Sequence, residues 1–216
     1  MPVVASARAA LVGALAALCL TPRPAAAFGH LWEFTELFSN ADGSVQFIEM
    51  FTDTTNENGL SVIFIRSTAT GEEFHFGTNL GGNTLNRHLL IATAAFAAQP
   101  GAVTPDYVMP DGFLRTAGDT LTLWNVAQPP GGPYPSLPSL MWDSFTYTAA
   151  QLPTDGTNAI HRHPPMLEIE TNSPTNYAGQ SGSITAVPEP GAALLLGAGL
   201  AALAAVRRRS PARRFA

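Results

Sequence analysis

Between residues 28 and 187 the chain never sustains a helical period; apolar and β-branched runs of four to nine residues alternate with Gly, Pro, Asn and Asp signals. That punctuation suits strands, whose side chains alternate between two faces and whose ends need tight turns. The runs 31–39 and 44–52 flank Asn40-Ala41-Asp42-Gly43. This spacing predicts a hairpin, because Asp and Gly tolerate the positive φ a tight turn needs. Further strands are expected at 60–66, 73–76, 89–93, 121–125, 141–148 and 166–171, with one short helix at 94–98 stopped by Pro100-Gly101. Many short strands and little helix predict an all-β domain folded as a β-sandwich. The Pro/Gly-rich stretch 128–138 reads as a surface loop and 172–187 as a linker.

The region 28–187 holds 160 residues, enough for one domain with its own core. The sole cysteine, Cys19, lies outside it. Disulfide staples and thiolate metal sites are thereby excluded, and stability rests on packing and backbone hydrogen bonds. Four arginines (Arg66, Arg87, Arg115 and Arg162) and no lysine face fifteen acidic residues, a net charge of −11. A domain so acidic, without a basic patch, is not a nucleic-acid binder.

Both ends carry a different pattern. Arg8 precedes the apolar stretch 9–20, and Ala25-Ala26-Ala27 supplies the small residues, Ala25 and Ala27, that a signal peptidase reads, so 1–27 is expected to be a signal peptide cleaved before Phe28. Leu18 stands before Cys19 where lipoprotein processing needs a small residue. At the other end, Val187-Pro188-Glu189-Pro190 leads into the uncharged run 191–206, then Arg207-Arg208-Arg209. As a helix those sixteen residues would measure roughly 24 Å against a hydrocarbon layer of about 30 Å, a short span whose arginines snorkel to the interface. The positive-inside tendency places Arg207, Arg208 and Arg209, and the basic tail 210–216, on the cytoplasmic side. Pro188 and Pro190 keep the preceding peptide extended and open to a processing enzyme.

The order Val-Pro-Glu-Pro, short Gly/Ala/Leu helix and arginine cluster resembles the PEP-CTERM sorting signal of Gram-negative bacteria. That resemblance implies an exosortase as processing partner, cleavage near Pro188, Glu189 and Pro190, and delivery to the cell surface or the extracellular polysaccharide layer. The sorting element is assigned to 188–209 and the folded domain to 28–171. A second resemblance runs through Phe34-Thr35-Glu36-Leu37, Val45-Gln46-Phe47-Ile48-Glu49-Met50, Asn58-Gly59-Leu60, Leu80-Gly81-Gly82, Leu89-Leu90-Ile91-Ala92 and Asn172-Ser173-Pro174-Thr175-Asn176. It is similar to the lamin-tail domain, which implies an Ig-like sandwich and no particular activity.

Alternation puts Trp32, Phe34, Glu36 and Phe38 on one face of the first strand and Val45, Phe47, Glu49 and Phe51 on one face of the second. With Asp42-Gly43 as a two-residue turn, Glu36 faces Glu49 directly; with a four-residue turn the two are diagonal. Two carboxylates among aromatics do not both stay ionised without help. A raised pKa, a bound Ca²⁺ or satisfaction by backbone N–H groups are the physical outcomes.

His161-Arg162-His163 puts two imidazoles on one face if extended, the start of a zinc or copper site that His30, His75 or His88 would complete, while Pro164-Pro165 beside it favours an exposed turn. Other motifs fail. Asn40, Asp42, Gly43 and Glu49 mimic an EF-hand loop, but Phe38 sits at its first position; Asn83 replaces the lysine of a phosphate loop at 77–84. No serine sits in a nucleophile elbow.

Three function classes follow. A non-enzymatic surface or matrix protein, associated with the envelope or exopolysaccharide, needs no active site and no cofactor. A carbohydrate-binding module would stack sugars on Trp124, Tyr134, Trp142 and Tyr147, provided those rings are exposed. A secreted hydrolase would require two acids about 5–10 Å apart in a cleft. The first is the expectation.

Overall fold

The computed structural model describes residues 28–186, apart from 133 and 135. The expected signal peptide with Ala25 and Ala27, the sorting residues Val187, Pro188, Glu189 and Pro190, the arginines Arg207, Arg208 and Arg209 and the tail 210–216 lie outside the described residues. Among the described residues no helix is long and apolar enough to cross a membrane.

Among the described residues, ten strands form two sheets. The larger runs β10(Met166–Thr171), β9(Asn158–His163), β1(Glu33–Ser39), β2(Gln46–Thr52), β5(Arg87–Ala92) and β6(Tyr107–Val108). The smaller runs β4(Glu73–His75), β3(Ile63–Ser67), β7(Gly118–Asn125) and β8(Met141–Thr148). All pairings are antiparallel except β5 with β6. The expected helix is the single turn α1(Ala94–Ala97), whose Thr93 side chain caps the Phe96 N–H. A 3₁₀ turn, Leu60–Val62, takes the start of the run expected to be wholly strand.

The sheets pack face to face as a sandwich. Phe34, Leu37, Ile48, Met50, Leu89, Ile91 and Ile160 from the large sheet meet Ile63, Ile65, Phe74, Leu121, Leu123, Phe145 and Tyr147 from the small one. Burial of this apolar surface is the main driving term for the fold. Strand β8 alternates buried and exposed residues from Phe145 to Thr148, as a one-sided strand should, whereas β2 is buried along almost its entire length. Double-sided burial means that something covers the outer face of the large sheet.

That cover is the segment 172–186 together with α1. A second core joins Phe38, Phe47, Leu90, Ala92 and Phe96 to Ile184 and Ala186. Phe38 stacks on Phe47 at 5.3 Å, and Phe96 meets Phe47 edge-on at 5.3 Å. Residues 172–186, expected to be a linker, are therefore a strap built into the domain. Asn172 pins it: its Nδ2 donates to the carbonyls of Thr157 (2.6 Å) and Ile184 (2.7 Å), and its Oδ1 accepts from Ile184 N at 2.8 Å. Gly156, at φ +81°, lets the strap pass close, since a Cβ there would run into the carbonyl of Ala186.

Two strands escaped the sequence reading. β6 has two residues and shows no periodicity, and β9 is short, half polar and closed by Pro164-Pro165, which had suggested an exposed turn. The predicted face of β1 is also corrected. Register slips between Phe34 and Glu36, so Thr35 is a bulge residue, and the side chains after it change sides. Phe34 therefore enters the inter-sheet core while Phe38 joins the outer one.

Candidate functional site

The bulge and the strap between them create a polar row inside the outer face. Across the large sheet the register aligns Glu168, His161, Glu36, Glu49 and Leu90 on β10, β9, β1, β2 and β5. Glu36 thus faces Glu49 directly. The hairpin reaches that register through a longer loop than a two-residue turn: Asn40 N donates to Val45 O at 3.0 Å and Gly43 N to Asn40 O at 3.3 Å.

Both carboxylates are buried, Glu36 2% and Glu49 4% exposed. Ser173 caps Glu36, its backbone N–H donating to Oε1 at 2.9 Å and its hydroxyl to Oε2 at 3.2 Å. Thr175 N donates to Glu49 Oε2 at 2.6 Å, and Thr35 Oγ1 to Oε1 at 3.3 Å. His88 Nδ1 lies 2.8 Å from Glu49 Oε1. All four oxygens are committed to protein donors, which leaves this pair a poor fit for Ca²⁺, one of the outcomes weighed for it, an ion that needs six to eight oxygen ligands. Burial pushes the Glu36 carboxyl up to about 8; the Ser173 N–H opposes the shift and the charge of Glu49 adds to it.

Next along the row, His161 Nε2 stands 3.5 Å from Glu36 Oε1, yet this nitrogen is buried and makes no hydrogen bond among the described residues. Burial holds the His161 imidazole below its usual range. His163 stacks parallel to it, with ring centroids 6.2 Å apart and planes within 6°. Glu170, on β10, brings Oε1 to 3.3 Å from His163 Nε2. Donor atoms of His161, His163 and Glu170 lie within 4.8 Å of one another.

The remaining histidines stand elsewhere. His30 contacts Glu57 at 3.2 Å and His75 contacts Glu73 at 3.0 Å. Sequence reasoning missed Glu170, Ser173 and Thr175. Glu168 and Glu170 alternate on a strand that follows His161-Arg162-His163 after a tight turn, and that pattern was a usable signal for Glu170 once β9 is read as a strand. Ser173 and Thr175 carried none, because their partners are distant in sequence.

The aromatic residues weighed for sugar stacking are largely interior. Tyr134 and Tyr147 are buried, Trp142 donates Nε1 to Asn125 Oδ1 at 3.0 Å, and the Arg66 guanidinium covers the half-buried Trp124 ring at 5.5 Å. They form no open platform.

At the edge between sheets, Asp143 accepts from Phe34 N at 2.8 Å and from Arg162 Nη1 at 2.9 and 3.1 Å, while Arg162 also donates to Ser144 O. This pair ties β8 to β1 and β9. It is a structural clasp, with the Arg162 guanidinium also lying 5.0 Å from the Phe145 ring.

Neither a curated protein nor a solved structure matches the chain. One family does match part of it, beginning at Ala186, a residue buried in the strap: residues 186–209 carry the PEP-CTERM protein-sorting motif, which points to an exported, surface-directed protein of Gram-negative bacteria with an exosortase as its processing partner.

Proposed function

We propose that this chain is an exported, non-enzymatic surface or extracellular-matrix protein, in which an acidic β-sandwich is the cargo and contributes to the envelope or to exopolysaccharide organisation. The observation that carries the reading is Ala186, which is both buried in the strap and the first residue of the sorting match. Address and folded domain abut without a spacer, so whatever the address delivers is the whole sandwich. The run 191–206 then serves as the membrane segment that holds the chain for processing, with Arg207, Arg208 and Arg209 on the cytoplasmic side.

Two further points support a role without catalysis. The carboxylates that meet, Glu36 and Glu49, are capped by strap donors rather than open in a cleft. The Asp143–Arg162 pair is spent on joining the sheets. Within this reading the domain is an Ig-like, lamin-tail-like module, supported by the antiparallel β1–β2 hairpin on the residues that carry that resemblance.

Expression in an exosortase-bearing Gram-negative host and in the same host lacking the enzyme tests the proposal. The expected product is a chain that starts at Phe28, ends near Pro190 and fractionates with the surface or exopolysaccharide, with the longer form accumulating in the membrane of the exosortase-free strain. An intact cytosolic product spanning Met1 to Ala216 in both strains would overturn it.

A further inference from the structure

We propose that His161, His163 and Glu170 form a site for one divalent transition-metal ion of the Zn²⁺ type on the outer face of the large sheet, distinct from the Glu36/Glu49 pair. Three observations combine. First, β9 is a true strand, so His161 and His163 project to the same side, and their rings lie parallel within 6°. Second, β10 returns antiparallel and sets Glu170 opposite Ala159, diagonal to His161, so the three donor atoms fall within 4.8 Å of one another. Third, His161 Nε2 is buried with no hydrogen-bond partner among the described residues.

The distances suit coordination. Two ligands bound at about 2.0–2.1 Å in a tetrahedron stand roughly 3.3 Å apart, and His163 Nε2 already lies 3.3 Å from Glu170 Oε1. The remaining closure falls to mobile arms, because the side chains of His163 and Glu170 are 56% and 47% exposed, whereas that of His161 is 12% exposed and held by packing. A fixed nitrogen with two adjustable ligands gathers an ion at small strain. A buried nitrogen without a hydrogen-bond partner is destabilising, and a metal bond would relieve that cost.

The donor set selects the ion. Two imidazoles and one carboxylate suit Zn²⁺ and its first-row neighbours, whereas Ca²⁺ and Mg²⁺ demand an oxygen shell. Glu36, with Oε1 at 3.5 Å from His161 Nε2, lies on the adjoining strand and stays outside the ligand set. Three protein ligands leave the fourth position to solvent.

The test uses the untagged full-length chain in detergent, stripped with chelator and titrated with Zn²⁺ by calorimetry, with Ca²⁺ as the contrasting ion and Co²⁺ absorption as the report on geometry. The variants are His163→Ala and Glu170→Gln, whose exposed side chains can change without disturbing the core; circular dichroism and thermal unfolding confirm the fold. The expected result is one Zn²⁺ per chain, a tetrahedral Co²⁺ spectrum, no heat with Ca²⁺, and affinity lower by at least an order of magnitude in each variant. No binding at millimolar Zn²⁺, or binding that survives unchanged in either variant, would overturn the proposal.

Discussion

Glu36 and Glu49 stand opposite each other in the β1–β2 register, and successive backbone N–H groups of one strap cap them: Ser173 N lies 2.9 Å from Glu36 and Thr175 N lies 2.6 Å from Glu49. A buried like-charge pair at the centre of a sheet is tolerable only when one carboxyl keeps its proton or both find donors; here burial raises Glu36 and the strap supplies donors to both. The strap is thus as much an electrostatic element as a cover.

Protonation of Glu36 makes stability depend on pH in an uncommon direction. Its folded value of about 8 exceeds its ordinary value of 4.5, so between these limits the native chain holds a proton that the unfolded chain has released. Native protein binds more protons there, and stability falls as pH rises through the window. In metal-free protein, Glu36→Gln should flatten this decline and be the more stable form above about pH 8, by roughly 1–2 kcal/mol. Urea unfolding at about pH 5 and about pH 8.5 measures it. An unchanged slope in the variant would refute the assignment of the proton to Glu36.

Asn172 is expected to be the most sensitive position of the strap. Asn172→Ala removes three hydrogen bonds and leaves the buried Ile184 N–H and carbonyl without their partner, a loss of about 2–4 kcal/mol. Limited proteolysis should then cut within 172–186 before the sheets unfold. Equal protease resistance of variant and parent would show that the strap does not depend on this clamp.

Gly156 and Gly81 form a matched pair of substitutions. Gly156→Ala places a side chain at φ +81° against the carbonyl of Ala186 and should destabilise by about 2 kcal/mol or more. At Gly81 a Cβ meets nothing within 4 Å, so Gly81→Ala should change stability by less than about 0.5 kcal/mol. Thermal midpoints compare them directly. Similar midpoints would mean that the strap does not pass as closely over Gly156 as its contacts indicate.

Asp143 and Arg162 should couple. Removing either partner strands a largely desolvated charge, and loss of Asp143 also frees Phe34 N, so single alanine variants should each lose about 2–4 kcal/mol. The double variant should lose less than their sum, with a coupling energy of about 1–3 kcal/mol. Additive losses would show that the clasp contributes no mutual stabilisation.

Local pattern revealed much of the frame. The hairpin at Asn40–Gly43 was legible because its turn chemistry is local, and β8 and β10 could be bounded because alternation and flanking turns frame them. The direct Glu36–Glu49 pairing was one of two registers the turn allowed. β9 was obscured because Ala159 and Ile160 are its only buried apolar residues and prolines close it. The double-sided burial of β2 and β5 was written in Phe47-Ile48-Glu49-Met50-Phe51 and Leu89-Leu90-Ile91-Ala92, yet their composition does not say which segment supplies the cover.

By itself the sequence determined a cysteine-free, acidic, strand-rich domain and a sorting motif at its end, because turn propensity, side-chain alternation and short motifs act over a few neighbouring residues. Only the tertiary structure decided that Thr35 bulges and switches the faces of β1, that 172–186 covers the outer face of the large sheet over β2 and β5, and that Glu170 meets His161 and His163. Contacts such as Ser173 with Glu36 join residues 137 positions apart, and pairings of that range follow from how the sheets pack, which no local pattern encodes.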